Sequence, residues 1–298
     1  MSRNTREDTG AVLCLLAGAA CIAFAPIFVR LSELGPSATA FYRLFFSLPV
    51  FWIWMGMEQS RNAGRDRRPA TRRDFLLLAL AGFYFAGDLA IWHWSIRLTS
   101  VANATLLANF APVFVTLGSY VWFGERFSKT FLTGMACAVT GVVILMGDSF
   151  QISGRHLLGD LCGMATAVFY SAYLLTVGRL RNRFSTATIM AWSGLSASLA
   201  LMPITVISGE GFIAGTIHGW LVLAGLALIS QVGGQSLITY ALAHLSAAFG
   251  SVGLLLQPAL AAMFAWILFR EDLSLYQLAG GVILLAGVYY ARRGSTNF

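Results

Sequence analysis

Arg43 and Asp88 are charged groups set among apolar neighbours, and their chemistry stands out from the rest of the chain. A charge at membrane depth is costly, so such residues pair with one another, face a water-filled path or meet a substrate. A second group is uncharged and also lies inside apolar runs: Tyr84, Asn109, Tyr170, Gln231, Gln235 and Gln257. Amides and phenols there either tie helices together, at about 1 kcal/mol per bond, or line a cavity suited to small zwitterions and neutral polar metabolites. Tyr84 and Asp88 are spaced i, i+4 and share one helix face. Asn109 and Gln257 precede Pro112 and Pro258, and a proline frees the carbonyl four residues back, here those of Ala108 and Leu254. Pro26, Pro112 and Pro258 are therefore hinge candidates, with Pro49 a further kink. His93 falls near a helix end and reads as interfacial. Cys14, Cys21, Cys137 and Cys162 follow no ligand spacing and read as small packing residues. No residue is assigned as catalytic or metal-binding, and no cofactor is expected.

The elements that carry these residues follow from composition. Of 298 residues 57% are hydrophobic and only 11% charged, with mean hydropathy +0.72. A soluble domain carries about 25% charged residues, enough to coat its surface. A soluble enzyme, a disulfide scaffold and a disordered tail are thereby excluded. Crossing a bilayer takes about 20 helical residues, and ten such runs are present: Gly10–Arg30, Pro36–Met57, Phe75–Ile96, Val101–Phe123, Lys129–Gly147, Gly159–Val177, Ser185–Ile207, Gly219–Ala241, Ala247–Phe269 and Leu275–Ala291. The first follows Arg3 and Arg6 and contains Ala23-Phe24-Ala25, a cleavage-like sequence. Pro26 directly after it argues against cleavage, so the run is read as the first helix of the mature protein.

The net charge of +7 reflects topology rather than nucleic-acid binding. With both termini cytoplasmic, fifteen of the 20 Lys and Arg fall inside, Arg65, Arg67 and Arg183 among them. Arg30, Arg97, Arg155 and Arg270 fall outside, and Arg43 alone is intramembrane. That is the positive-inside bias. Tryptophans cluster near span ends, Trp192 excepted. At about 1.5 Å per residue Arg43 lies about 10 Å and Asp88 about 12 Å from the outer surface. Matching depths make an Arg43–Asp88 ion pair the simplest reading, with contact to substrate charge or a proton the alternative.

A shift of 146 residues superimposes Ser100 on Ser246, Pro112 on Pro258, Phe123 on Phe269 and Glu125 on Glu271. The same shift brings Ser128 onto Ser274, Gly134 onto Gly280 and Gly141 onto Gly287. A shift of 149 matches Arg30-Leu31 with Arg179-Leu180 and Ala38-Thr39 with Ala187-Thr188, and sets Trp192 at the place of Arg43. The expected fold is all-α: a ten-helix membrane protein built from two five-helix repeats, residues 1–147 and 148–298. Five is odd, so the second repeat is inverted, the arrangement of secondary transporters with a midplane site. The paired glycines read as packing stripes, and Glu125 and Glu271 as charges at helix boundaries.

Proline in the fourth helix, Gly124-Glu125-Arg126 at the following turn and Gly-x6-Gly in the fifth helix resemble the EamA repeat of the drug/metabolite transporter superfamily. The second copy departs at the turn, reading Phe269-Arg270-Glu271-Asp272, and Arg43 matches an arginine common in the second helix of such repeats. The resemblance implies a ten-helix carrier with a central cavity, and among its branches the YddG-type amino-acid exporters.

The expected function is export of small metabolites, chiefly amino acids including aromatic or neutral ones, by alternating access. Export of drugs or other metabolites is the alternative. An enzyme ranks low: His-Glu-x2-His and Gly-x-Ser-x-Gly are absent, as is the Walker loop of an ATP-driven machine. A channel or scramblase ranks low too, without a K⁺-filter sequence or acidic ring. The expected partners are the bilayer and a small-molecule substrate, with no nucleic acid. Arginine dominates over lysine, Lys129 being the one lysine, which points to a GC-rich bacterial genome and its plasma membrane.

Overall fold

The computed structural model describes residues 5–61, 68–99, 101–147, 157–269 and 274–295, and among them there are helices and turns but no strand. Among the described residues nine helical stretches are long and apolar enough to cross a bilayer: α1 (Thr9–Leu31), α2 (Pro36–Ser60), α3 (Arg72–Ile96), α4 (Asn103–Phe123), α5 (Lys129–Gly147), α6 (Leu157–Leu180), α7 (Thr186–Ile207), α8 (Ile217–Ala241) and α9 (Ala247–Phe264). A tenth helix, α10 (Leu275–Ser295), carries Arg292 and Arg293 in its last turn. Each matches one of the ten apolar runs to within a turn or so. Arg3, Arg65, Arg67, Ser100, Arg155, Arg270, Glu271 and Asp272 lie outside the described residues.

Four helices are interrupted, each just before a proline. Helical segments restart at Ala25, Leu48, Ala111 and Leu256, placing Pro26, Pro49, Pro112 and Pro258 in their first turns. There the missing N–H costs nothing, whereas the carbonyl upstream loses its donor. Pro203 is accommodated inside α7 without a break. α8 is interrupted differently: between Ile217–Gly225 and Ser236–Ala241 it widens into a π-helical stretch, Leu226–Gln235.

The helices gather into two compact units, residues 1–90 with 176–244, and residues 91–175 with 245–298. Each unit therefore draws helices from both halves of the sequence. None of the candidate hinge prolines stands where the chain passes from one unit to the other, within α3, within α6 and after His244.

In the first unit α2 and α7 run antiparallel: Phe51 and Met55, late in α2, pack on Ala187, Met190 and Ala191, early in α7. α1 and α8 are also antiparallel. A Cβ at Gly18 would lie 2.9 Å from Gly234 O, and Phe28 abuts Gly225. The predicted outer end is tied by Glu33, which accepts from the Thr216 hydroxyl and, at 3.1 Å, from Thr216 N. Glu210 accepts from Ala38 N at 2.9 Å, a carboxylate at a helix N-terminus, and Tyr42 donates to Phe212 O at 2.7 Å.

The second unit is held by α5 against α10. A Cβ on Gly134 would collide with Ala291 and come 2.8 Å from Gly287 O. A Cβ on Gly280, its repeat equivalent, would come 2.5 Å from Leu145 N and 2.7 Å from Gly141 O. The contacts are reciprocal and their residue numbers run in opposite directions, so these two equivalent helices are antiparallel and self-complementary. Small residues permit such backbone contact. Ser128 and Ser274 repeat one cap, accepting from Phe131 N at 3.0 Å and Gln277 N at 3.2 Å. Gln277 completes a capping box by accepting from Ser274 N. Leu117, Val121 and Trp122 of α4 stand exposed, as lipid-facing side chains do.

Candidate functional site

Arg43 occupies the last turn of the first segment of α2, Pro36–Phe45. The break that Pro49 imposes leaves carbonyls there with fewer donors, and a cation is favoured beside them. The side chain is 8% exposed, and its Nε donates to Gln231 Oε1 across 2.9 Å. Gln231 and Gln235 both belong to the π stretch of α8 and are buried. Single π turns are frequent at functional sites because they redirect side chains that a regular helix would place elsewhere. Gln231 Nε2 is buried and has no partner among the described residues; an orphan amide donor costs about 1–3 kcal/mol.

α3 contributes Tyr84, Phe85 and Asp88. The Phe85 ring lies 5.9 Å from the Arg43 guanidinium carbon, within cation–π range. Tyr84 and Asp88 are half-buried on their shared face. The Arg43 charge acts on Asp88 through space, and Arg43 Nε donates to Gln231. The depth-matched partners are thus close, but Arg43 is engaged by an amide 188 residues away in sequence. Arg43, Tyr84, Asp88, Gln231 and Gln235 all belong to the first unit.

Asn109, Tyr170 and Gln257 belong to the second. Asn109 lies at the break in α4, and its Nδ2 donates to Thr105 O at 2.8 Å, satisfying a carbonyl of its own helix. Gln257 lies at the break in α9, half-buried, with a buried Nε2 that has no partner among the described residues. Tyr170 is half-buried and stacks on Tyr173, centroids 6.1 Å apart. Pro112 and Pro258 are buried beside these breaks, whereas Pro26 is exposed. Trp192, the repeat equivalent of Arg43, packs on Trp52 at 5.2 Å and Phe75 at 4.9 Å.

Two polar clusters were not anticipated. Asp160, in the first turn of α6, accepts from Thr99 Oγ1 at 2.9 Å and Asn103 Nδ2 at 3.2 Å, and Ser95 donates to Gly159 O at 2.7 Å. An acidic residue opening a helix was the available signal. The Glu33–Thr216 contact is the other, and the Thr216 hydroxyl holds the Glu33 carboxyl below the usual range, with His218 adding to the effect. His93 is buried against Trp92, their rings 5.1 Å apart. All four cysteines are free thiols.

Within each unit, polar groups thus stand at interrupted helices in apolar surroundings. The chain is similar to known transporters over most of its length. It is 24% identical over 273 residues to the pseudopaline exporter CntI of Pseudomonas aeruginosa, covering 91% of this chain and 92% of that one. It is 26% identical over 231 residues to a probable terminal-alkyne amino-acid exporter of Streptantibioticus cattleyicolor, 76% of each chain. An uncharacterized transporter of Archaeoglobus fulgidus is 25% identical, with 88% of this chain and 90% of that one aligned. A solved crystal structure shares the fold with a TM-score of 0.79 at 17% identity, covering 97% of this chain and 99% of the other. The EamA-like transporter family matches twice, over residues 9–147 and 157–293. The protein is a multi-pass membrane transporter, not an enzyme, and it belongs to the EamA-like transporter family.

Proposed function

We propose that this transporter exports small metabolites, amino acids foremost, by alternating access at a site near the bilayer midplane. The observation that carries this is the pairing of Arg43 with Gln231 at two interrupted helices, next to Asp88 and Phe85. Discontinuous helices that offer polar groups at the midplane are the usual substrate sites of secondary carriers. One cation balanced by one carboxylate suits a zwitterion better than a phosphorylated substrate, which calls for several cations. The names of two relatives, an exporter of pseudopaline and one of a terminal-alkyne amino acid, support export of small metabolites, and the second supports an amino acid. The antiparallel packing of the repeat-equivalent pairs α2 with α7 and α5 with α10 supports two inverted halves, residues 1–147 and 148–298, that exchange conformations. In this reading Gln235 is a substrate-facing group of the first unit, and Asn109, Tyr170 and Gln257 are substrate-facing groups of the second. Pro112 and Pro258 flex within their helices, and both termini are cytoplasmic in a bacterial plasma membrane.

Cells loaded with amino acids through peptide uptake test the proposal. Expression of the protein should speed release of at least one amino acid several-fold, and Arg43→Gln should remove the effect at equal membrane abundance. Unchanged amino-acid release together with faster efflux of a hydrophobic dye would favour drug export instead.

A further inference from the structure

We infer that Arg43 and Gln231 form the subsite that receives the carboxylate of the substrate; the inference rests on the amino-acid reading above and assigns residues within it. Arginine only donates hydrogen bonds, so the 2.9 Å contact from Arg43 Nε fixes the amide of Gln231 with Oε1 toward the guanidinium and Nε2 turned away. Gln231 is 0% exposed, and Nε2 meets no acceptor among the described residues. Oε1 alone accounts for the bond that joins α2 to α8. Nothing in that bond requires the second half of the amide, and a buried donor pair left over beside a cation calls for an anionic oxygen.

The backbone places both donors for this purpose. Arg43 ends the helical segment Pro36–Phe45, and Gln231 sits inside the π stretch Leu226–Gln235. A guanidinium and an amide N–H held together make a fork that can meet the two oxygens of one carboxylate. Asp88 supplies a counter-charge that acts with Arg43 through space. The side chain of the substrate is not read by this pair, so the subsite selects for the carboxylate common to all amino acids.

The test compares phenylalanine, phenethylamine and phenylalaninamide as competitors of labelled phenylalanine exchange in proteoliposomes. Ligand-induced stabilisation of the detergent-purified protein is measured in parallel. Phenylalanine should compete at least about tenfold better than the amine or the amide, the scale of one charge-assisted hydrogen bond. Gln231→Met should raise the KM for phenylalanine about tenfold with little change in maximal rate, and should narrow the gap between acid and amine. If Gln231→Met does not purify as a monodisperse protein, Gln231→Asn serves, since it keeps the amide but shortens its reach. The inference is overturned if the amine and amide compete as well as phenylalanine in the wild type, or if both Gln231 variants exchange with an unchanged ratio. Absence of exchange and of stabilisation by all three compounds would instead remove the amino-acid reading, and the inference with it.

Discussion

The two compact units treat the duplicated sequence in opposite ways. In one, α5 and α10 meet through Gly134, Gly141, Gly280 and Gly287, and each contact has a reciprocal partner at the equivalent place. In the other, the equivalent positions 43 and 192 hold an arginine bonded to Gln231 and a tryptophan packed on Trp52 and Phe75. Symmetry persists where a helix packs on its own repeat, because any side chain added to one stripe strikes the other backbone. It is lost where a polar site is built, because one cation in a buried site needs one set of partners. In the function proposed above, the glycine seam is scaffold and the Arg43 neighbourhood the place of recognition.

The seam offers the largest effect. Gly134→Leu would drive a side chain into Ala291, and Gly280→Leu into the backbone at Leu145. Over-packing a well-filled core costs about 1–3 kcal/mol, and more when the obstacle is backbone. Both variants should lose most of their monodisperse protein in size-exclusion chromatography, and to the same degree. Unequal losses would break the equivalence of the two stripes. Trp192→Ala should be milder, about 2 kcal/mol for removing a partly buried indole, read as a lower unfolding temperature with substrate ranking unchanged. Altered ranking would place Trp192 in the recognition site.

Capping comes next. Ser246 accepts from Phe249 N at 3.2 Å, and Ser128 caps α5 in the same manner. Replacing either by Ala should cost about 1 kcal/mol, detectable by thermal unfolding. The smallest effect belongs to Glu33. Its pKa is lowered by the Thr216 hydroxyl, so the ionised form is favoured in the folded protein. That contribution is present above the unfolded carboxylate pKa and fades as pH falls through the folded one. Wild-type protein should therefore lose slightly more stability on acidification than Glu33→Gln, and parallel melting curves for the two would refute the assignment.

The spans were legible because hydrocarbon imposes one length and one composition on every crossing helix. The breaks at Pro26, Pro49, Pro112 and Pro258 were legible for a similar reason: a missing N–H acts locally. The π stretch of α8 was not, since Gly233-Gly234 is an ambiguous signal and the stretch packs on α1, a tertiary neighbour. Arg43 and Asp88 were expected at one depth, and the Arg43 charge does act on Asp88. Depth says nothing about the rotation of a helix about its axis, however, and the hydrogen-bond partner of Arg43 Nε came from α8 rather than α3. Gln231 was singled out as a polar residue in an apolar run, but its orphan Nε2 is a tertiary fact. The mixing of both halves in each unit was likewise hidden, because packing between equivalent helices leaves no mark on local sequence.

The central claim is that this chain carries amino acids through a site that alternates between the two sides of the bilayer. Counterflow tests it most directly: purified protein in liposomes preloaded with unlabelled amino acid, diluted into labelled amino acid with no ion gradient. The account predicts transient accumulation of label above equilibrium for at least one amino acid, abolished by Arg43→Gln. Correctly inserted protein that gives no overshoot with any amino acid, but does so with a drug or another metabolite, would contradict it.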